Sequence, residues 1–350
     1  MASTPTDIPR PEHPRPHMVR DRWLNLNGTW EFEIDQGDSG FERGLRTRVL
    51  SDRITVPFAP ESEASGVGNP DFLEAVWYRR EVTIPAEWAQ MRVLLHFGAV
   101  DHDATVWVDD VEVARHRGGF SPFTADLSDV VTPGESATIV VRARDPREAR
   151  QARGKQATWY ANTHCNYTRT TGIWQTVWLE PVPHVHLRRP RITPNVASSS
   201  LTVVTPLSAN RAGHTVRVLV RDAHGEVAGA TVAADLDLAP SLHVAIPADR
   251  VRLWTTRDPH LYDVRVELLD GDEQLVDGVD CYAGLRSVSI DGKSLRINGE
   301  PVFQRLVLDQ GYWPESLMTA PSDEALVRDI ELSLARSTAA SGGTPRPPRA

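Results

Sequence analysis

The feature that most narrows the fold is a succession of short segments, each alternating apolar with polar residues and each closed by Gly, Pro, Asp or Asn. From Leu24 to about Glu180 they read TWEFEI (Thr29 to Ile34), WYRREVTI (Trp77 to Ile84), MRVLLHFG (Met91 to Gly98), ATVWV (Ala104 to Val108), VEVARH (Val111 to His116) and ATIVVRA (Ala137 to Ala143). Period-two alternation puts every second side chain on one face of a strand, so each segment can bury one face against a second sheet. Asp109-Asp110 falls between two of them, where a two-residue hairpin turn belongs. Helical periodicity is nearly absent, so the spacing predicts antiparallel sheets packed as a sandwich or jelly roll.

A second block, from about His184 to Arg286, holds SLTVV, HTVRVLV, EVAGATVAADL, SLHVAI, YDVRVELL and EQLVDGVDCY, with turn signals at His224-Gly225 and Asp270-Gly271. This density of short strands suits an immunoglobulin-like sandwich without the Cys and Trp spacing of antibody domains. The proline-bearing stretch Pro181 to Pro190 fits the step between domains. Beyond it, SVSIDGKSLRINGEPVFQRLVL carries the turn signals Asp291-Gly292 and Asn298-Gly299. In PSDEALVRDIELSLA, Ser322 suits an N-cap, Asp323 and Glu324 suit the positive helix end, and Leu326, Ile330 and Leu334 share a face. One strand followed by one amphipathic helix is expected. The expected order is an extended lead (1–22), a first sandwich (23–183), a second (184–287), a strand and helix (288–335) and a disordered tail (336–350), whose RSTAASGGTPRPPRA has no large apolar residue.

A length of 350 residues accommodates two or three domains. The net charge of −9 argues against nucleic acid as a partner, because phosphate binding needs an excess of Lys and Arg. Cys165 and Cys281 are too few and too far apart for a disulfide framework or a thiolate metal site. The proline-rich start lacks the apolar core of a secretory signal, and no stretch of ~18 apolar residues spans a membrane. A cytoplasmic protein with no membrane partner is expected.

Candidate chemistry is sparse. TGIWQTVWLE (Thr171 to Glu180) would, as one strand, place Trp174 and Trp178 on one face and Ile173, Val177 and Leu179 on the other, which reads as a strand buried on both sides. Glu180 has no partner carboxylate nearby in sequence. Asp101-His102-Asp103 and His184-Val185-His186 could each offer two metal ligands, but lack a third at suitable spacing and read as solvated or hairpin-flanking side chains. Gly292-Lys293-Ser294 resembles the end of a P-loop, except that Ser287 stands where that motif needs glycine. Nothing calls for a metal or a cofactor.

Taken together, LNGTWEF (Leu26 to Phe32), AVWYRREVTIP (Ala75 to Pro85), LHFGAVDHDATVWVDDVEV (Leu95 to Val113), GGFSPFTADLS (Gly118 to Ser128), TGIWQTVWLE, LWTTRDPHLYDVRVEL (Leu253 to Leu268), YAGLRSVSI (Tyr282 to Ile290) and RINGEPVFQR (Arg296 to Arg305) resemble glycoside hydrolase family 2, in that family's order. The resemblance implies an all-β chain: a jelly-roll, galactose-binding-like sandwich, then an immunoglobulin-like sandwich, then a single βα unit of a TIM barrel. It implies that the loop Ala157 to Arg169 reaches over the barrel mouth, making Trp159, Tyr160 and Asn162 candidate sugar contacts. The loop Glu61 to Glu74 is implied as a lesser contact. Asp309 and Gln310 match polar residues that the family presents at its first barrel strand, after an Arg-Gly-Val sequence, although Leu306 stands where glycine is usual.

A retaining glycosidase needs two carboxyl groups roughly 5 to 5.5 Å apart. The family supplies them as glutamates on later barrel strands, the acid/base following an asparagine, and this sequence has no Asn-Glu dipeptide. No residue inherits either catalytic role. The family's activity on β-glycosides is therefore expected to be missing from these residues alone, and a frameshift or premature gene-model end near Ala335 is one expectation. The alternatives are a stand-alone carbohydrate-binding module and one half of a split glycosidase whose barrel comes from a complementing chain. A homo-oligomer is a further partner state.

Overall fold

The structure, a computed structural model, describes residues 8–340 apart from Ala149 and Arg305, with side chains to residue 336. Nearly every segment read as a strand from its alternation is one. Gly28–Ile34, Ala75–Thr83, Ser136–Arg144, Asp103–Val108 and Val111–Arg117 lie in one six-stranded sheet, whose outer strand Asp52–Val56 the sequence reading did not mark. Leu24–Asn25, Val177–Val182, Arg92–Phe97 and Phe123–Asp126 form the facing four-stranded sheet. Between the two faces lies one apolar core that includes Trp30, Phe32, Tyr78, Leu95, Phe97, Val106, Val141 and Leu179. Asp109 and Asp110 both take positive φ, 45° and 68°, and join paired Val108 and Val111, the conformation a two-residue hairpin requires.

The second sandwich packs Arg191–Asn195, Ser200–Val204 and Ser241–Ala245 against Thr215–Asp222, Gly225–Ala233, Tyr262–Leu269 and Leu275–Ala283. Its core is a separate cluster rich in valine, including Val216, Val218, Val264, Val266 and Val279 around Tyr262.

The run Thr171 to Glu180 is buried at every position but Gln175, as its two apolar faces predict, yet it is not one strand. Gly172–Ile173 pairs with Val100–Asp101, the chain bends at Gln175, and Val177–Val182 then joins the four-stranded sheet. The bend separates the two tryptophans. Trp174 donates from its indole N–H to the Gly119 carbonyl at 2.7 Å, whereas Trp178 stacks on His96 with ring centroids 4.8 Å apart. Gly172 is needed at its place, because at φ 77° an added Cβ would lie 2.2 Å from the Tyr78 hydroxyl.

The described part of the lead is a strap rather than a loose extension. Met18 is buried in the second core, and Val19 exchanges two backbone hydrogen bonds with Asp280, each 2.8 Å. Arg20 then joins the two sandwiches. Its guanidinium donates to both Asp277 oxygens at 3.0 and 2.9 Å and to the Leu187 carbonyl at 2.7 Å, and stands 3.0 Å from Glu180. Burial disfavours the Arg20 charge, but the hydrogen bond and charge of Asp277 with that of Glu180 more than offset it, holding its pKa above the ordinary value. Glu180 is thus a structural carboxylate. Burial pushes its pKa up, but His96 and Arg20 overcome this and bring it down to about 2. Burial lowers the His96 pKa; its Nδ1 lies 3.0 Å from Arg15, which can only donate, so Nδ1 accepts and Nε2, 3.2 Å from Glu180, carries the ring proton.

After the second sandwich come three short strands, Val288–Asp291, Ser294–Ile297 and Glu300–Pro301, and the helix Asp323–Ala340. Ser322 caps the helix, accepting from the Ala325 N–H at 3.3 Å. Two expectations need correction here. The helix runs past Ala335 to Ala340, so the expected tail from 336 begins as helix, and its remainder, 341–350, lies outside the described residues. The segment expected as the first barrel strand, around Leu306 to Asp309, belongs to no sheet among the described residues. A barrel strand makes its hydrogen bonds to neighbouring strands, and none pairs with this segment among the described residues.

Candidate functional site

Five candidate contact residues came from the sequence, and the structure divides them. Trp159, Tyr160 and Asn162 lie together on an exposed lobe of the loop after Ser136–Arg144. Gln156 and Tyr167 bridge the neck of that lobe, where the Ala157 N–H donates to the Tyr167 carbonyl at 2.7 Å and the Tyr167 N–H to the Lys155 carbonyl at 3.0 Å. Trp159 donates from its indole N–H to the Thr163 hydroxyl at 2.9 Å, and Asn162 Oδ1 accepts from the Thr168 hydroxyl at 3.1 Å. Tyr160 leans the other way, meeting the Phe72 ring edge-on at 5.0 Å, while the Arg169 and Arg147 guanidiniums lie 3.8 and 4.2 Å from the Phe72 centroid. Phe72 belongs to the Glu61 to Glu74 loop, so the two loops expected near a sugar do touch.

Asp309 and Gln310 stand exposed, with the Asp309 carboxylate accepting from the Gly311 N–H at 2.7 Å. The residue of that segment that reaches the lobe is Tyr312, whose ring lies 4.8 Å from that of Tyr167. Just beyond, the chain docks firmly on the first sandwich. The Thr319 hydroxyl donates to the Trp174 carbonyl at 2.6 Å, the Ala64 N–H donates to Glu315 at 2.9 Å, and Met318 packs against Ala59, Ala99 and Trp174.

Three carboxylates anchor the loop from beneath. Asp101 Oδ2 accepts from the Gln156 amide at 2.7 Å, and Gln156 Oε1 in turn accepts from the Thr170 N–H at 2.8 Å. Asp145 accepts from Gln151 and, at 3.1 Å, from Arg153. Glu61 accepts from the Thr171 N–H at 3.1 Å. All three are buried, so the solvated reading of Asp101-His102-Asp103 does not hold for Asp101 and His102: the Gln156 amide takes the place of water. Asp101 also fixes Gly119, where an added Cβ would lie 2.2 Å from the Asp101 carboxylate. Burial pushes Glu61 up to about 8 against the hydrogen bond from Thr171. Burial, with the Asp145 charge second, pushes Asp101 up to about 7, and burial raises Asp145 against the opposing pull of Arg153.

Sequence reasoning singled out Asp101 and the loop that Glu61 opens but not their joining with Asp145, because the three come from separate segments and alternation says nothing of their shared burial. Among the described residues no group of three or more His, Cys, Asp or Glu is arranged to hold a metal ion. His184 is exposed, and His186 Nδ1 lies 3.0 Å from the Pro183 carbonyl. No helix of the described residues is long and apolar enough to cross a membrane.

Comparison with known proteins places this architecture. Residues 24–183 match the sugar binding domain of glycosyl hydrolases family 2, and residues 185–286 match a second domain of glycosyl hydrolases family 2. The chain belongs to glycosyl hydrolase family 2. A β-glucuronidase of Paenibacillus borealis is 30% identical over 292 residues, covering 79% of this chain and 47% of the relative. The human β-glucuronidase is 26% identical, covering 79% and 47%, and a β-galactosidase of Thermoanaerobacter pseudethanolicus is 25% identical, covering 80% and 36%. The β-glucuronidase of Ruminococcus gnavus superposes with a TM-score of 0.74 at 24% identity, over 89% of this chain and 53% of that one. The chain thus spans about half the length of the β-glucuronidases it matches.

Proposed function

We propose that these residues form the N-terminal, sugar-facing part of a β-glycosidase and do not hydrolyse glycosides by themselves. The observation that carries the first half is the exposed lobe bearing Trp159, Tyr160 and Asn162, held on a sandwich of the family and touched by Tyr312 from the segment that follows the second sandwich. Aromatic faces beside polar planar groups suit the alternating C–H and hydroxyl surface of a sugar. In this reading Asp309 and Gln310 turn toward a β-glycoside only when neighbouring barrel strands order their segment.

The second half is supported by what the perturbed carboxylates already do. Among the described residues, the Asp and Glu side chains with raised pKa are Glu61, Asp101 and Asp145, and each is buried and hydrogen-bonded within the chain. A glycosidase acid and nucleophile must instead flank a bound sugar. A barrel supplied by a complementing chain is a second reading. It draws on a groove of about 700 Å³ between Leu306, Val307 and the helix residues Leu326 and Ile330, whose apolar walls suit further barrel elements. We also place the protein in the cytoplasm, a reading that rests on its two unpaired cysteines.

The test is hydrolysis of aryl β-glucuronide, β-galactoside and β-mannoside by mass-verified protein, beside glycan titration of the same sample. No turnover is expected. Turnover would overturn the reading by requiring a catalytic pair within these residues, and binding without turnover would mark a carbohydrate-binding module.

A further inference from the structure

The loop that carries Trp159, Tyr160 and Asn162 is held at both stems by carboxylates rather than by a sheet. Asp145 stands at its first stem, binding Gln151 and Arg153 of the loop itself. Asp101 reaches the second stem through Gln156, which passes the connection to the Thr170 N–H. Glu61 takes the Thr171 N–H at the end of the same stem. Removing any one carboxylate would leave a buried donor unmet, so the three act as one device.

The charges around the device are unevenly matched. Asp145 faces Arg153 and His102; Asp101 faces Asp145 and Arg153; Glu61 faces Asp145, Arg169, Tyr78 and Tyr312. Glu61 Oε1 is buried with no hydrogen-bond partner, and so are both terminal nitrogens of Arg169. Glu61 Oε1 therefore lacks a donor that would stabilise a buried negative charge, and Asp101, which has the Gln156 amide, lies against the like charge of Asp145.

We propose that Glu61, Asp101 and Asp145 form a proton-loaded clasp that fixes the 146–170 loop and loosens it when Glu61 and Asp101 lose their protons. In the loaded state the lobe is presented in one arrangement, with Tyr160 against Phe72 and Asn162 beside Thr168. In the unloaded state the stems open toward water to solvate the new charges, and the lobe loses its fixed arrangement. Glu61 and Asp101 are thus positioning residues for the candidate contacts.

The experiment is hydrogen exchange of the full chain at pH 6 and pH 8.5, with peptide rates corrected for the intrinsic effect of pH. Residues 150–170 should lose about tenfold or more in protection at the higher pH, while Tyr262–Leu269 in the second sandwich should not change. In Asp101→Asn, whose amide oxygen can still accept from Gln156, the pH-dependent loss should shrink, and in Asp101→Asn/Glu61→Gln it should vanish. Equal corrected protection of the wild-type loop at the two pH values would overturn the proposal without need of a variant. So would a folded Asp101→Asn chain whose loop keeps the full wild-type response.

Discussion

Val264, Val266 and Leu268 in the second sandwich are at most 1% exposed, whereas Leu306, Val307 and Leu308, an equally apolar run, are 79, 61 and 84% exposed. The difference lies in the neighbours. Tyr262–Leu269 is hydrogen-bonded along both edges, to Thr215–Asp222 and to Leu275–Ala283, and a second sheet covers its inner face. The run at 306–308 pairs with no strand among the described residues, and the helix that follows leaves Val327, Ile330 and Leu334 largely exposed. Apolar composition specifies a wish to be buried; only pairing partners convert it into a strand.

The harshest way to break the well-packed side of this contrast is at the joint of the two sandwiches. Arg20→Ala strands the buried Asp277 and Glu180 charges and should cost about 3 to 5 kcal/mol, read as a large drop in thermal midpoint. A midpoint within a degree of wild type would show that the joint contributes little. Next comes Leu268→Ala, which opens a cavity in the second core and should cost about 2 to 5 kcal/mol by denaturant unfolding. Its counterpart Ile330→Ser, on the exposed helix face, should change stability by less than about 0.5 kcal/mol while reducing self-association in sedimentation.

The pH dependence sharpens the contrast within the first sandwich. Glu61 and Asp101 hold their protons to about 8 and about 7 when folded, above the ordinary carboxylate range. The unfolded chain sheds those protons first, so stability falls as pH rises from about 5 toward about 8, by up to about 1.4 kcal/mol per unit for each group. Glu180 works in the opposite sense: its folded pKa of about 2 gives stability present above the ordinary value and lost as pH falls toward it. A thermal midpoint highest near pH 5 is expected, and Glu61→Gln should flatten the alkaline side. A midpoint still rising from pH 5 to pH 8 would contradict the assignment.

Much of the fold was legible because alternation is a local signal. TWEFEI, YDVRVELL and the Asp109-Asp110 hairpin fell where the pattern put them. Asp52–Val56 was missed because DRITV offers only one apolar alternation, after two charged residues and before Pro57. The candidate contacts Trp159, Tyr160 and Asn162 came from the resemblance, and the structure shows them exposed on one lobe. Tyr312 and Phe72 needed the folded chain to bring distant segments together, as did the Arg20 to Asp277 pair, which is 257 residues apart in sequence. Burial of Asp101 ran against its polarity, and the Gln156 amide, with the Arg153 charge nearby, explains it.

The most direct measurement is residue-resolved hydrogen exchange of the whole chain at a single neutral pH. Slow exchange is expected for Ala75–Thr83, Ser136–Arg144 and Tyr262–Leu269, and near-intrinsic exchange for 306–310 with weak protection along Asp323–Ala340. Protection of 306–310 equal to that of the sandwich strands would contradict the account, because it would mean that the apolar run has found partners that this fold does not give it.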